Sequence, residues 1–458
     1  MSIDQMELPL TIRGAAPTSQ RSGEATSAAH ETGSSGLDAP FLMERIVERA
    51  NLARALKRVR KNKGSPGVDG RTVNDLTDDL RDRWPAIREQ LLTGRYQPSV
   101  VKRVELPKPD GGTRLLGIPT VLDRFIQQAV LQVLQPEIDP TFSAFSFGFR
   151  PGRSAHDAVC QAQRYVQEDR HWVVDVDLAQ FFDRVNHDIL MGKVATRITD
   201  PRVLTLIRRY LEAGVLASGV VMERHEGTPQ GGPLSPLLAN VLLDGVDQEL
   251  ERRGLAFVRY ADDCNVYVES KRAAHRVMEG LIGLYAKLQL RINPAKSAVA
   301  LVIDRAFLGY RFWRVERGRL VKRGASHKAL AMLKARVRDI TSRSRGWRFG
   351  DVVADLCSYL RGWKAYFRFA ETPSELAKVD GWIRRRLRLL RIVQCKHGPT
   401  LYRVLRARGI PQRDAASTAR HCRRWWSTSG QPATQTAFPA SYFDGLGIPR
   451  LSALTSTF

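Results

Sequence analysis

The sequence predicts an α+β chain in which an antiparallel sheet with helices fills the first two thirds and an all-helical, strongly basic region follows. Three observations carry this. Phe257 to Val268 reads as two short apolar runs meeting at a pair of carboxylates, Trp172 to Leu178 alternates with period two, and beyond about residue 325 apolar and basic residues recur at helical spacing. With 458 residues, 43% of them hydrophobic, the chain is long enough for two or three domains with cores of their own.

The formal net charge of +25 exceeds what solubility requires and suits a polyanionic partner, nucleic acid first. No apolar run of spanning length and no lipidation signal occurs, which argues against a membrane partner. The five cysteines, Cys160, Cys264, Cys357, Cys395 and Cys422, are far apart and form no Cys-x-x-Cys pair, as expected in a reducing compartment without structural zinc.

Residues 1–40 are rich in Ala, Ser, Thr and Gly, and their acidic balance argues against a transit peptide; they are expected to be a disordered leader. A helix is expected over about 41–62, with Ile46, Leu52, Leu56 and Val59 apolar, ending in the turn-rich run Gly64 to Gly70. That run fits a close approach to phosphate and a plain connection equally well. Val104 to Pro119 reads as two strands around Asp110-Gly111-Gly112. Lys108 and Arg114 flank the turn, within reach of a triphosphate or simply exposed at the strand ends. The stripe Leu122, Phe125, Ile126, Ala129, Val130, Val133 and Leu134 marks a core helix over about 120–135, with Pro136 just past its end.

Ser146 to Ser154 is a loop of arginines and aromatics that suits a nucleic-acid strand, followed by a helix through His156 and Val159. In the strand Trp172 to Leu178, alternation puts Asp175 and Asp177 on one face, and spacing alone does not choose between them as a functional carboxylate. Phe181 and Phe182 are core or the wall of a nucleotide pocket. Gly227 to Asn240 is an irregular Gly- and Pro-rich loop that feeds an apolar helix from Leu237 to Leu250, a setting suited to phosphate or base contact.

The hairpin Phe257 to Val268 carries Asp262 and Asp263 at its tip. Adjacent aspartates on a tight turn repel, and inside an apolar strand pair they mark a divalent-cation site. Asp78 and Asp79, in a polar helical stretch, are by contrast a solvated face. Toward the C-terminus Leu356, Tyr359, Leu360, Trp363 and Phe367 form an apolar stripe beside Arg361, Lys364 and Arg368. From about 380, Ile383, Leu387 and Leu390 share one face and Arg384, Arg388 and Arg391 another, with Arg385 and Arg386 added. So few acids intervene that these arginines are expected to contact RNA.

The ordered series Leu106 to Pro119, Asp177 to Asp183, Gly227 to Asn240, Tyr260 to Asp263 and Leu308-Gly309-Tyr310 resembles the reverse transcriptases encoded by bacterial group II introns. The likeness runs from about 45 to the C-terminus, and Arg361 to Phe367 resembles the maturase domain of the same proteins. Leu115, Cys264 and Asn265 depart from the usual pattern without touching an expected ligand.

The resemblance implies a right-hand polymerase. Its fingers and palm would occupy 41–315, a helical thumb or maturase domain 316–395, and a small C-terminal extension that contacts DNA 396–458. Asp177 opens the family's Asp-x-x-x-Phe-Phe-Asp pattern, which leaves Asp175 a supporting carboxylate. Asp177, Asp262 and Asp263, with the carbonyl of Leu178, would bind two magnesium ions. Phe182 would exclude a 2′-hydroxyl, Gln230 would line the nucleotide pocket, and Lys108 and Arg114 would hold the triphosphate. Leu308, Gly309 and Tyr310 would grip the primer terminus, and Arg361, Lys364, Arg368, Arg384, Arg385, Arg388 and Arg391 would bind RNA.

The implied activity is RNA-directed DNA polymerisation together with maturation of the intron. Its partners would be intron RNA as template, a DNA primer or target and deoxynucleoside triphosphates, with no membrane, and its location the bacterial cytoplasm at the nucleoid. No His-Asn-His nuclease spacing with paired cysteines occurs, so no second-strand DNA cleavage is expected. A standalone bacterial reverse transcriptase for defence or diversity generation is the alternative, and the maturase-like run argues against it. A splicing factor with a dead polymerase is a third reading, opposed by the presence of all three carboxylates.

Overall fold

Four short segments rich in apolar residues build a sheet whose one end carries the acidic side chains. The computed structural model describes residues 41–107, 113–217, 220–222, 226–228, 231–315, 320–344 and 346–453. The expected leader, the Asp110-Gly111-Gly112 turn with Lys108, and Gln230 lie outside the described residues, and of Arg114 only the backbone is described. The chain divides into two compact units between Arg305 and Ala306, ahead of the boundary expected after residue 315.

The first unit runs α1 (Leu42–Ile46), α2 (Arg49–Asn62), α3 (Leu76–Leu92), β1 (Val101–Pro107), β2 (Thr113–Ile118), α4 (Val121–Ile138), α5 (Ala155–Gln167), β3 (Trp172–Val176), α6 (His187–Ala195), α7 (Pro201–Glu212), β4 (Val215–Ala217), β5 (Val220–Met222), α8 (Ser235–Arg252), β6 (Ala256–Tyr260), β7 (Asp263–Val268), α9 (Lys271–Lys287) and β8 (Ala298–Leu301). One sheet has the order β2-β1-β4-β5 and the other β6-β7-β3-β8. The second sheet is antiparallel throughout, with Val174 opposite Val266 and Val176 opposite Cys264.

Helices α4 and α8 are buried on most sides, Phe125, Ile126 and Val130 on one and Leu237, Leu242 and Val246 on the other, as apolar residues all round a helix require. Two expected boundaries move. Pro136 lies inside α4, in its last turn, where a missing N–H costs the ladder only one bond. The single helix expected over 41–62 breaks at Val47 and Glu48, because α1 is anchored separately: Met43 N donates to Asp200 Oδ2 at 3.1 Å.

The second unit opens with β9 (Ala306–Phe307), β10 (Tyr310–Arg314) and β11 (Val321–Ala325), ordered β11-β10-β9, and continues as α10 (His327–Ile340), α11 (Phe349–Tyr366), α12 (Pro373–Gln394), α13 (Gly398–Ala407), α14 (Gln412–Arg420), α15 (Trp425–Ser429), α16 (Pro432–Ala437) and α17 (Ala440–Gly445). The region from 316 is therefore helical only from His327. Lys322 and Arg323 inside β11 hide its alternation, and the strand is fixed by pairing Val321 with Arg314 and Ala325 with Tyr310.

Leu333, Val337, Leu356, Leu360, Ile383 and Leu387 form the buried interior of this unit, the last four on the stripes read from the sequence. Asp380 on α12 ties down the end of the described chain, accepting from Leu451 N and Ser452 N at 2.9 Å and from Ser452 Oγ at 2.7 Å. Among the described residues no helix is long and apolar enough to cross a membrane.

Candidate active site

Register brings the acidic residues together. Tyr260 pairs with Asp263 across the β6–β7 turn, so Ala261 and Asp262 are the loop and Asp263 is the first residue of β7, one step below the expected tip. On the other flank β3 pairs Asp175 with Asn265 and ends at Val176 opposite Cys264. Asp177 follows directly. Side chains opposite one another in a sheet share a face, so Asp175, Asp177 and Asp263 emerge on the same side at the same end.

The electrostatics agree with this placement. Burial, and after it Asp175, Asp262 and Asp177, hold the Asp263 carboxyl well above the usual carboxylate range, with Arg305 opposing. Asp175 is also raised, first by burial, and is steadied by Arg305, whose Nε donates to its Oδ2 at 2.7 Å. The Asn265 amide, turned with its nitrogen toward Asp175 Oδ1, adds a bond of 2.9 Å. Asp175 thus has a cation and an amide of its own. Asp177 is left with Lys296, whose Nζ lies 3.6 Å from Oδ2.

A strap from the chain before β8 fixes the peptide around Asp177. Asn293 N donates to Asp177 O at 2.8 Å, Asp177 N donates to Ser297 Oγ at 2.9 Å, and Ala179 N donates to Arg291 O at 2.8 Å. Leu178 lies between these bonds, bridged to Ile292, with its side chain buried.

Beneath the β6–β7 turn lies a fully buried ion pair that the sequence reading missed. Arg259 is 1% exposed and Asp247 0%. Arg259 Nε donates to Asp247 Oδ1 at 2.8 Å and Nη2 to Oδ2 at 2.5 Å, a two-pronged clasp. Its Nη1 donates at 2.9 Å to both Asn240 Oδ1 and the Ala261 carbonyl, and Asn240 Nδ2 donates to Gly148 O at 2.9 Å. Gly148 backs directly onto Tyr260 and Ala261, where any Cβ would collide with the turn's backbone. Ala261 takes φ of +60°, costly for a residue with a side chain, and these bonds are what hold it there. The missed signal was a charge inside each of two apolar elements, Arg259 in β6 and Asp247 in α8.

Phe182 sits in a short 3-10 turn, Phe181–Asp183, edge-on to Phe149 at 6.5 Å and to Phe181 at 5.0 Å. The start of the Gly- and Pro-rich loop packs on this turn: Thr228 N donates to Phe182 O at 2.6 Å, and Gly227, at φ +88°, has no room for a Cβ beside Asp183. Past Gln230, Gly231 and Gly232 approach Gly117 O and the Gln127 side chain just as closely. The loop is thereby held against both β2 and α4. Arg114 pairs with Leu106 in the β1–β2 hairpin.

In the second unit Leu308 and Gly309 form a two-residue turn between β9 and β10, both at positive φ. Tyr366 Oη donates to Leu308 O at 2.8 Å, and Tyr310 Oη donates to Tyr366 O at 2.5 Å. The Tyr310 ring lies 5.1 Å from that of Phe367. Two motifs separate in sequence thus form one structure.

The expected RNA-binding arginines divide. Arg361 and Arg368 are exposed and Lys364 half-buried. Arg384 is a correction: at 4% exposure it is held by Asp380 at 3.5 Å and Asp444 at 2.5 Å, and it faces the C-terminal helices instead of solvent. Arg385 lies over the Trp426 ring at 4.2 Å, Arg388 Nε donates to Phe438 O at 2.9 Å, and Arg391 lies 4.7 Å over Phe349. These three have packing roles of their own.

The chain that carries this arrangement belongs to a known class of polymerase. Residues 106–312 match the family described as reverse transcriptase (RNA-dependent DNA polymerase), and residues 330–409 match the maturase-specific domain of group II introns. The protein YkfC of Escherichia coli is 35% identical over 315 residues, 60% of this chain and 83% of that one. The group II intron-encoded protein LtrA of Lactococcus lactis is 34% identical over 45% of this chain and 37% of its own length, so only about a third of that relative is spanned. A solved Cas6-RT-Cas1–Cas2 complex is similar at 25% identity over 54% of this chain and 42% of that one, with a TM-score of 0.35.

The chain is a member of the reverse transcriptase family that carries a group II intron maturase domain, and so an RNA-directed DNA polymerase. Polymerases of this family work on nucleic-acid substrates with divalent metal ions.

Among the described residues no group of three or more His, Cys, Asp or Glu side chains is drawn close enough to enclose a metal ion by itself. The donor chemistry nevertheless fits one. The carboxylates are all-oxygen donors, which suit magnesium or manganese, and Asp263 stands among acids.

Asp247→Ala would leave the Arg259 guanidinium buried with neutral acceptors only. It is expected to cost about 3–5 kcal/mol in urea denaturation. A loss below about 1 kcal/mol would remove the clasp from any part in holding the turn.

Proposed function

We propose that this protein is an intron-encoded reverse transcriptase that also serves as the maturase of its own intron. It would copy intron RNA from a DNA primer or target with deoxynucleoside triphosphates and support the intron's mobility. The observation that carries this reading is the register that sets Asp177 and Asp263 side by side at the β6–β7 turn, in a chain that also matches the maturase domain. That match favours it over a standalone reverse transcriptase. Fingers and palm are assigned to the chain from 41 to about the β9–β10 segment, a thumb to the helices that follow, and DNA contact to the region from 396.

Asp177, Asp262 and Asp263, with the Leu178 carbonyl, are the proposed ligands of two magnesium ions. Bound there, the pair would supply activation of the primer's 3′-oxygen and stabilisation of the departing pyrophosphate. The protein's own part is positioning. The strap from Arg291 to Ser297 fixes the Asp177 peptide, and the Arg259 clasp fixes the turn that bears Asp262. Phe182, wedged between Phe149 and Phe181, presents a rigid edge against which a ribose 2′-hydroxyl would collide. Lys108, Arg114 and Gln230 are assigned to the triphosphate and base of the incoming nucleotide, and the Leu308–Tyr310 turn to the primer terminus.

Asp262→Asn/Asp263→Asn is expected to lower primer extension by several orders of magnitude while leaving splicing of a transcript with the flanking intron sequence intact at low magnesium. Loss of splicing in both wild type and variant, with extension retained in the wild type, would favour the standalone enzyme. Tyr366→Phe removes the bond to Leu308 O and is expected to raise KM for primer–template severalfold with kcat within twofold. An unchanged KM would detach that turn from the primer.

A further inference from the structure

The second unit contains a basic cleft that the arginine stripe read from the sequence reaches only through Arg386. It opens between the end of α10, the middle of α12 and α15, with a volume of about 360 Å³, within the range of small-ligand sites. Arg338, Arg343 and Arg386 line it together with Thr341, Leu389 and Trp426. No carboxylate is among its lining residues, and the nearby Asp339 is paired with Arg336 at 2.7 Å. Arg338, whose guanidinium lies 5.5 Å over the Trp382 ring, and Arg343 both repel the Arg386 guanidinium, and an anion among the three relieves that repulsion.

The cleft is a built site. Arg386 is held from behind, with Nε donating to Thr341 Oγ1 at 3.0 Å and Nη2 to Thr341 O at 3.1 Å and Arg338 O at 3.3 Å. Thr341 itself is fully buried. These bonds engage one edge of the guanidinium and leave the two N–H groups of Nη1 for a ligand. Arg343 is carried 4.6 Å above the Trp425 ring. Trp426, 42% exposed, is backed by Arg385, which lies 4.2 Å over the ring and donates to Trp426 O at 3.0 Å. Leu389 adds an apolar wall. A stripe that meets only a phosphate backbone needs neither a recess nor an aromatic ring. Cations, an aromatic plane and an apolar wall together match a nucleotide, with its phosphate on the arginines and its base on Trp426.

We propose that this cleft holds one unpaired nucleotide of a bound RNA strand, with its phosphate on Arg338, Arg343 and Arg386 and its base against Trp426. The proposal rests on the maturase reading for the source of the RNA, and on the cleft alone for the site. An unpaired nucleotide enters such a recess and a base inside a duplex does not, so the site distinguishes looped from helical RNA.

The test uses the full-length protein at one fixed salt concentration, with a short single-stranded RNA and a blunt duplex of equal charge. Trp426→Ala and Arg343→Gln are each expected to weaken single-strand binding about tenfold, with duplex binding within twofold of wild type. Trp426→Phe should retain most of the affinity. Melting curves check that each variant is folded, and Arg343, exposed at the cleft's rim, supplies the variant least able to disturb folding.

Equal losses on both RNAs would make the arginines plain phosphate contacts and overturn the proposal, as would no loss on either. Displacement of the RNA by micromolar adenosine triphosphate, abolished by Arg343→Gln, would make the cleft a free-nucleotide site and equally overturn it. Wild-type splicing, measured separately, reports on the maturase reading. A selective single-strand loss in a protein that promotes no splicing would uphold the cleft and fail that reading alone.

Discussion

Acidic side chains gathered at the end of one sheet repel one another, and much of the first unit is arranged to tolerate that. Asp175 is offset by Arg305 and Asn265, and Asp177 in part by Lys296. Asp263 receives no comparable partner and is held far above its ordinary range by burial and by its acidic neighbours. The repulsion is confined to the place where a polymerase needs concentrated negative charge. Holding it there requires a rigid turn. The buried Arg259–Asp247 clasp, through Asn240 and the Ala261 carbonyl, fixes an alanine in a left-handed conformation against the bare backbone of Gly148.

A buried ion pair is a poor device for stability alone, since its desolvation largely cancels its attraction. Its value here is geometric. Arg259 carries enough donors to bind Asp247 on one edge and still reach two carbonyl-type acceptors on another, which a lysine would not match. The same logic recurs in the second unit, where Tyr366 and Tyr310 each spend a hydroxyl on a backbone carbonyl of the other's segment to fix a turn at positive φ. Side chains that sequence motifs present as separate are, in both units, parts of one support.

Strands β3, β6 and β7 were legible because they are short and rich in apolar and β-branched residues, and the carboxylates because they interrupt that pattern; β8, only four residues long, does not stand out in the sequence. The resemblance selected Asp177 over Asp175, and the ion pair to Arg305 gives a physical reason why Asp175 is engaged elsewhere. The clasp was not legible, since Arg259 and Asp247 meet through the packing of α8 on β6 and not through periodicity. The α12 arginines show a related limit. Helical spacing tells which residues share a face and says nothing of what covers it; Asp444 and Phe438 cover the face that carries Arg384 and Arg388. Arg386, one step round the helix, is the one that opens into a cleft.

A divalent cation would complete the clustered aspartates. The most direct measurement is thermal melting of the wild type and of Asp177→Asn/Asp262→Asn/Asp263→Asn, with and without millimolar magnesium and in the absence of any nucleic acid. Magnesium is expected to raise the melting temperature of the wild type and to leave the variant unmoved, while the variant alone melts higher than the metal-free wild type because its repulsion is gone. Equal magnesium responses in the two proteins, together with no gain from removing the charges, would rule out a cation held by these aspartates.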